Sequence, residues 1–520
     1  MSASATASRR RGEAVTQALL GIDIGTSGCK ALLIDGEGVV LASHTETYGL
    51  SQPRPGWTEQ DPASWIDGAR AAVAAVLAER PEAELAAVGL SGQMHGLTPL
   101  DAGHKVLRPA ILWNDQRNGA ECDAITERAG GIQGLLARTN NRMLVGYTGG
   151  KIIWMRDHEP DLFGRLRHVV NPKDYLRLVL TGEIATEVSD ASGTGLFDTR
   201  ERRWASGLLE LLDLDAAILP PCHESHVVSG RVGRSGAALF GIPEGTPVVG
   251  GGGDSVIQTI GSGVITPGAL QTTIGTAGIV AAALDAPVAD PDGRLQVFCN
   301  VAPSKWHCMG VSLNAGGAME WFRTMLAGFR GGEAPSAKDM AGTAANAPAG
   351  SHGLVFLPYL NGERCPHPDP SARGGFVGLT ARHAAADMAR SLMEGVTHSL
   401  FDIYRLMEAA GIGRSIIKAS GGGARSTLWR QMQADLFGCD VVTTDGAAEG
   451  GAFGAALVAG VGVGVWADAV EAAKSCRAVT RETPDAAGAA AMREAFAIYA
   501  GLYDDLSGAF SALSGSGLDR

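Results

Sequence analysis

Residues 19–45 read LLGIDIGTSGCKALLIDGEGVVLASHT, and residues 270–284 read LQTTIGTAGIVAAAL. In the first stretch, apolar runs at 19–24, 29–34 and 39–45 are separated by Gly25-Thr26-Ser27-Gly28 and Asp35-Gly36-Glu37-Gly38. Turn residues at both corners make this a β-meander. In the second, the runs 270–274 and 279–284 flank Gly275-Thr276-Ala277-Gly278 and repeat the strand–turn–strand pattern. The pentapeptides IGTSG and IGTAG differ only at Ser27 against Ala277 and lie half a chain apart. One such pentapeptide says little, whereas two in the same context predict a duplicated domain.

Outward from the first hairpin, Asp61 is a helix N-cap with Pro62 in the first helical position. Trp65, Ala69, Val73, Val76 and Leu77 then share one face. A strand over 85–90 ends in Ser91-Gly92-Gln93-Met94-His95-Gly96. Strands, a helix and a further strand make an α/β layer whose chemistry belongs at strand ends. Residues 247–249 run into four glycines, 250–253, and Asp254. Later come a helix with Met388, Leu392, Val396 and Leu400 on one face and a strand over 415–419. That strand ends in Gly421-Gly422-Gly423-Ala424-Arg425-Ser426, which opens another helix. Residues 449–460 predict a helix with a Gly/Ala face made for close approach. The expected division is a disordered tail over 1–17 and two domains, 18–262 and 263–510.

The length of 520 residues allows two to four domains of about 100–200 residues, or two larger ones. The net charge of −12 and the lack of a sustained basic stripe argue against a nucleic-acid or anionic-membrane partner. The eight cysteines contain no C-x-x-C, which suggests a reducing compartment rather than a disulfide or zinc framework. No signal-peptide core precedes residue 18, and residues 455–470 are too short and glycine-rich to span a membrane. A cytoplasmic enzyme is the expectation. The oligomeric state is not given by the sequence, and a homodimer is held open.

No Walker A loop and no G-x-G-x-x-G occur. Two Gly-Thr hairpins can hold a nucleotide instead, their turn N–H groups and hydroxyls donating to phosphate oxygens from opposite domains. The bland alternative is two ordinary β-turns. Asp23, in the strand before the first turn, is expected beside those phosphates as a Mg²⁺ ligand through water, or else as a cap of its own turn. Asp254, on a tight loop at a strand end, suits a general base for a hydroxyl attacking phosphorus; otherwise it caps the following helix. Trp113-Asn114-Asp115-Gln116-Arg117 sets an aromatic beside polar groups, as a sugar requires, though a plain polar loop has the same composition.

These motifs together resemble the FGGY carbohydrate kinases, and within them the xylulokinase branch. The resemblance runs from about residue 19 to residue 460. It includes GIDIGTSGCK from Gly21, SGQMHG from Ser91, RPAILWNDQR from Arg108, GYTGGKIIWMRDH from Gly146 and NPKDYLRLVLTGE from Asn171. It continues with GGGD ending at Asp254, LPYLNGERCPHPDP from Leu357, a second signature over 374–394, and GGGARS from Gly421. The resemblance implies two RNase H-like, actin-type ATPase domains with the active site in the cleft between them, and ATP and Mg²⁺ as cofactors. It implies Asp254 as catalytic base and Asp23 as the metal-side carboxylate. Gly25, Thr26, Ser27, Gly275 and Thr276 fall in the phosphate loops, Gly317 in a glycine-rich turn beside the nucleotide, and Gly422, Gly423 and Ser426 in the adenosine loop. Met94, His95, Trp113, Asn114, Asp115, Asp254 and Ser255 are the implied sugar side. Ser255 departs from the Asn usual in xylulokinases. The expected reaction is phosphorylation of D-xylulose; the alternatives are another sugar or polyol, such as ribulose or a pentitol, and a sugar-sensing pseudokinase. The presence of both Asp23 and Asp254 disfavours the pseudokinase.

Overall fold

The computed structural model describes residues 16–516. Residues 1–15 of the expected tail lie outside the described residues; Thr16 and Gln17, expected in that tail, instead begin the first strand, three positions before its apolar run. The first sheet has the order Val228–Arg231, Pro247–Val249, Ala83–Gly92, Thr16–Ile24, Gly28–Asp35, Val40–Thr47, with Gly252–Gly253 also pairing with Ala83–Gly92. The second has the order Gln296–Cys299, Trp306–Ser312, Gly278–Leu284, Gly268–Ile274, Arg414–Ser420, Asp440–Thr444, Ala478–Glu482. Each sheet therefore has an antiparallel meander whose first strand pairs in parallel with a strand from much later in its half of the chain. The two hairpins turn at the same motif but differ by one residue in register, Ile24 standing opposite Cys29 and Ile274 opposite Gly278.

Local chemistry sets these elements. The Asp61 side chain accepts from the Ala63 N–H at 3.0 Å and caps the helix Pro62–Glu79. Trp65, Ala69, Val73 and Val76 on that helix are fully buried against the first sheet. The helix Ala385–Ala409 buries Leu392, Val396 and Leu400 in the core of the second.

Two helices cross between the sheets. The helix Gly450–Gly462 comes late in the chain but lies on the first sheet and on the helix Asp254–Gly261. Only glycine permits the fit. A Cβ on Gly21 would lie 1.9 Å from the Ala452 carbonyl oxygen, one on Gly89 1.9 Å from that of Ala455, and one on Gly454 2.2 Å from that of Ile257. The edge strand Gln296–Cys299 is held from the other half of the molecule. Asn141 bonds both the N–H and the carbonyl of Val297 (2.9 and 2.7 Å), and Ser192 accepts from the Cys299 N–H at 3.0 Å. Among the described residues no helix is long and apolar enough to cross a membrane, and the eight cysteines are free thiols.

Candidate active site

Three neighbouring parallel strands end together. Asp23 stands opposite Ser91, Ser91 opposite Gly252, and Gly253 opposite Gly92. Asp23 and Asp254 are thereby carried to the carboxyl edge of one sheet, where the pleat leaves side chains free of the ladder. Asp23 Oδ1 accepts from the Ser91 hydroxyl at 2.7 Å. The first turn of the helix Gly450–Gly462 closes over it, since a Cβ on Gly451 would lie 2.9 Å from Asp23 Cγ. Burial pushes the Asp23 carboxyl up, partly offset by the Ser91 hydrogen bond and by Lys30. Asp254 is the first residue of its helix, after the N-cap Gly253. Its Oδ1 accepts from the Ser255 N–H at 2.6 Å, with the Ser255 hydroxyl at 3.3 Å. Burial first, and the Asp23 charge second, push Asp254 up to about 7. A carboxyl poised there can take a proton near neutral pH and release it again.

Beside Asp254, two glycines pack tightly against Met94 and His95. A Cβ on Gly253 would lie 2.5 Å from Met94 Cγ, and one on Gly193 2.7 Å from His95 Nδ1. His95 adopts φ 69°, its ring stacked on Tyr147 at 4.7 Å and its Nδ1 2.6 Å from the Gly193 carbonyl oxygen. That oxygen can only accept, so Nδ1 carries the hydrogen and Nε2 is left as an acceptor. Burial lowers the His95 pKa to about 3 and keeps the ring neutral.

The aromatic–polar loop divides its roles. Trp113 is 39% exposed and donates through Nε1 to Thr26 Oγ1 at 3.0 Å. Thr26 in turn donates to Gln93 at 3.2 Å, so its hydroxyl is engaged rather than free for phosphate. Asn114 Oδ1 is buried with no protein partner. Asp115, expected at the sugar, is fully buried. Its carboxylate accepts from the Thr58 N–H (2.6 Å), the Arg117 N–H (2.9 Å) and the Arg117 guanidinium (2.8 and 2.7 Å). Those donors saturate it, and Asp115 anchors the loop instead of offering a carboxylate to a ligand.

On the second hairpin Thr276 is exposed and the Gly275 N–H bonds the Ala277 carbonyl at 3.1 Å. The glycine-rich turn at Gly317 is the first turn of the helix Gly316–Arg330; the Gly317 N–H bonds the Thr276 carbonyl at 3.1 Å, and the Gly316 N–H bonds that of Gly275 at 2.7 Å. The glycine loop packs on the same hairpin: a Cβ on Gly421 would lie 2.6 Å from the Ile274 carbonyl oxygen, and one on Gly423 2.5 Å from its side chain. Gly422 begins a short 3₁₀ turn, and Ser426 caps the next helix by accepting from the Trp429 N–H at 3.3 Å. The structure thus joins the second hairpin, Gly317 and the loop at 421–423 in one surface, and Gly25, Thr26, Asp23, Asp254, Met94 and His95 in another.

Several residues at the site carry no obvious sequence signal. Lys151 is fully buried and donates to the carbonyls of His95 (2.7 Å) and Gly146 (2.6 Å), and burial lowers its pKa to about 7. Gln60 donates to the Thr26 carbonyl at 2.7 Å and accepts from Gln93 at 2.9 Å. Glu187 is buried beneath the Asp254 loop. A buried lysine within an apolar run is the one available cue, and it points to Lys151.

Residues 18–261 match the model of the N-terminal domain of the FGGY family of carbohydrate kinases, and residues 270–463 that of its C-terminal domain. The chain is 36% identical to the xylulose kinase of Escherichia coli K12 over 94% of its own length and 99% of that protein. Against the xylulose kinase of Bacillus subtilis 168 the identity is 35%, over 93% of this chain and 96% of the relative. The crystal structure of xylulose kinase from Rhodospirillum rubrum superposes with a TM-score of 0.86 at 31% identity, covering 95% of this chain and 100% of that one. Two matching domain models, near-complete coverage by curated relatives and a shared two-sheet fold leave one conclusion: the chain belongs to the FGGY family of carbohydrate kinases.

Proposed function

We propose that this kinase transfers the γ-phosphoryl group of ATP to D-xylulose, giving D-xylulose 5-phosphate and ADP, with Asp254 as general base. The observation that carries the reading is the Asp23–Asp254 pair, flanked by Met94, His95 and the first Gly-Thr hairpin. The kinship to xylulose kinases supports the sugar. The sugar hydroxyl oxygen bonds to the γ-phosphorus while its proton passes to Asp254. The bond from that phosphorus to the β–γ bridging oxygen breaks, and ADP leaves with the electron pair. His95 Nε2 accepts from a sugar hydroxyl, and Trp113 and Asn114 contact the same sugar. Ser255 supplies one donor to Asp254 where an Asn would reach further. The turn N–H groups at Ser27 and Thr276 bind phosphate oxygens, Gly25 and Gly275 close the two turns through their own N–H groups, and Gly317, Gly422, Gly423 and Ser426 line the adenosine side.

Asp23 fits a Mg²⁺ site. Ser91 takes one of its oxygens, and its buried carboxylate lacks a cation of its own apart from distant help from Lys30. Mg²⁺ characteristically uses one or two carboxylates and completes its shell with phosphate oxygens and water. Asp23 would hold such an ion, which would supply neutralisation of phosphate charge when bound with ATP. Two domains divided at 262/263, a cytoplasmic setting and a homodimer complete the proposal.

A substrate panel tests it. ADP release coupled to a reporter is measured with D-xylulose, D-ribulose, L-ribulose and D-arabinitol. D-xylulose gives the highest kcat/KM; preference for another substrate by tenfold or more rejects the sugar and leaves only the family.

A further inference from the structure

Behind the loop that carries Asp254 is a buried carboxylate with no part in the chemistry above. Glu187 ends the short strand Thr186–Glu187 and caps the helix Val188–Ser192. It is fully buried. Its Oε1 accepts from the Ser189 hydroxyl (2.7 Å) and the Asp190 N–H (2.8 Å), and its Oε2 from the Ser189 N–H (2.8 Å) and the Ser225 hydroxyl (2.6 Å). Lys173, also buried, stands 3.5 Å from Oε1 and supplies the countercharge, which it shares with Asp174 (2.6 Å) and Asp190 (3.1 Å).

A cap needs only the local N–H bonds. The bond to Ser225 and the use made of both serines go further. The Ser189 hydroxyl, having given its hydrogen to Glu187, accepts from the Gly253 N–H at 3.0 Å. The Ser225 carbonyl accepts from the Gly251 N–H at 2.8 Å. The glycine loop also presses on Glu187 itself: a Cβ on Gly250 would lie 3.0 Å from Glu187 Cβ. One carboxylate therefore fixes two serines, and each serine fixes one glycine of the segment that ends at Asp254. Direction matters. Because an ionised Glu187 can only accept, it orients the Ser189 hydroxyl and leaves that oxygen's lone pairs toward Gly253.

We propose that Glu187 is a positioning residue for phosphoryl transfer, acting through Ser189 and Ser225 to hold the 250–253 loop and so the Asp254 carboxylate in line with the attacking hydroxyl. The proposal rests on Asp254 being the base. Small displacements of a base cost rate more than binding.

The test is a cycle of variants in the full-length protein, assayed for D-xylulose-dependent ADP release with saturating Mg·ATP. Ser189→Ala removes the acceptor for Gly253, and Glu187→Gln turns one acceptor into a donor facing donors. Each is expected to lower kcat about 10- to 100-fold with the KM for either substrate within about threefold of wild type. Combined with Asp254→Asn, Ser189→Ala is expected to cost nothing further, because the base whose position it sets is gone. A Ser189→Ala protein with unchanged kcat, or one whose loss multiplies undiminished onto that of Asp254→Asn, overturns the positioning role. If Asp254→Asn alone retains wild-type turnover, the reading of Asp254 fails instead, so the two failures are distinguishable. Should Glu187→Gln fail to fold, Ser189→Ala, a smaller change, decides the matter.

Discussion

The Asp23 carboxylate raises the pKa of Asp254, adding like-charge repulsion to burial and bringing it to about 7. Only ionised Asp254 can accept the hydroxyl proton. Activity is therefore expected to rise with pH through an acid limb near pH 7 in kcat/KM for the sugar. Asp23→Asn removes the repulsion, so the limb should move to lower pH even as kcat falls through loss of the metal-side carboxylate. A pH profile of both proteins checks this; a limb that stays in place, or moves up, in Asp23→Asn contradicts it.

The same shift has a consequence for stability. Folded Asp254 titrates near 7, whereas an unfolded Asp titrates near about 3.9. The folded state thus binds the proton more tightly. Between those two values rising pH removes stability, and above pH 7 the full penalty of the buried charge is present. Asp254→Asn abolishes the charge and should raise Tm, more at pH 8 than at pH 5, by differential scanning calorimetry. An equal shift at both pH values would show that ionisation is not the cause.

Lys151 is expected to matter for sugar binding although it touches no ligand. Its ammonium satisfies the carbonyls of His95 and Gly146, and His95 adopts a left-handed φ of 69° that its backbone contacts must hold. Lys151→Met keeps the length but strands both carbonyls, at about 1–3 kcal/mol each if they stay dry. The KM for D-xylulose should rise several-fold, with a smaller fall in kcat and a lower Tm. An unaltered KM in a destabilised protein would assign Lys151 to folding alone.

Where the two halves meet, Gly454 is in contact with the helix Asp254–Gly261, and an added Cβ would be 2.2 Å from the Ile257 carbonyl oxygen. Backbone cannot move aside as a flexible side chain can, so Gly454→Ala should destabilise by about 1–3 kcal/mol. It should also reduce turnover, since Asp254 starts the helix being pushed. Urea titration and steady-state kinetics read the two effects; wild-type values in both would mean the helices part without cost.

Much of this arrangement was legible in the sequence where physics is local. The paired hairpins around Gly25 and Gly275 and the Asp61 cap depend on turn or cap chemistry within a few residues, and the Gly/Ala composition of 449–460 signals a close approach without naming its partner. The positions of Asp23 and Asp254 at adjoining strand ends were legible because each ends or follows a short apolar run. Asp115 was not: its partner Thr58 is remote in sequence, and a polar loop looks the same whether its carboxylate faces a ligand or a guanidinium. Lys151, Gln60 and Glu187 escaped for a related reason. Their partners come from other segments, and hydrogen-bond satisfaction between segments leaves no periodicity to read. That the glycine-rich turn at Gly317 is the first turn of a helix was not legible, because glycine there and glycine in a loop are alike in sequence.

The most direct measurement is turnover of Asp254→Asn beside wild type, following ADP and D-xylulose 5-phosphate with saturating Mg·ATP and D-xylulose. Asn keeps the shape and one acceptor oxygen but cannot take the proton. Loss of a general base characteristically costs on the order of 10²–10⁴ in rate, so kcat should fall by that factor while both substrates still bind. An Asp254→Asn protein with turnover near that of wild type would contradict the assignment.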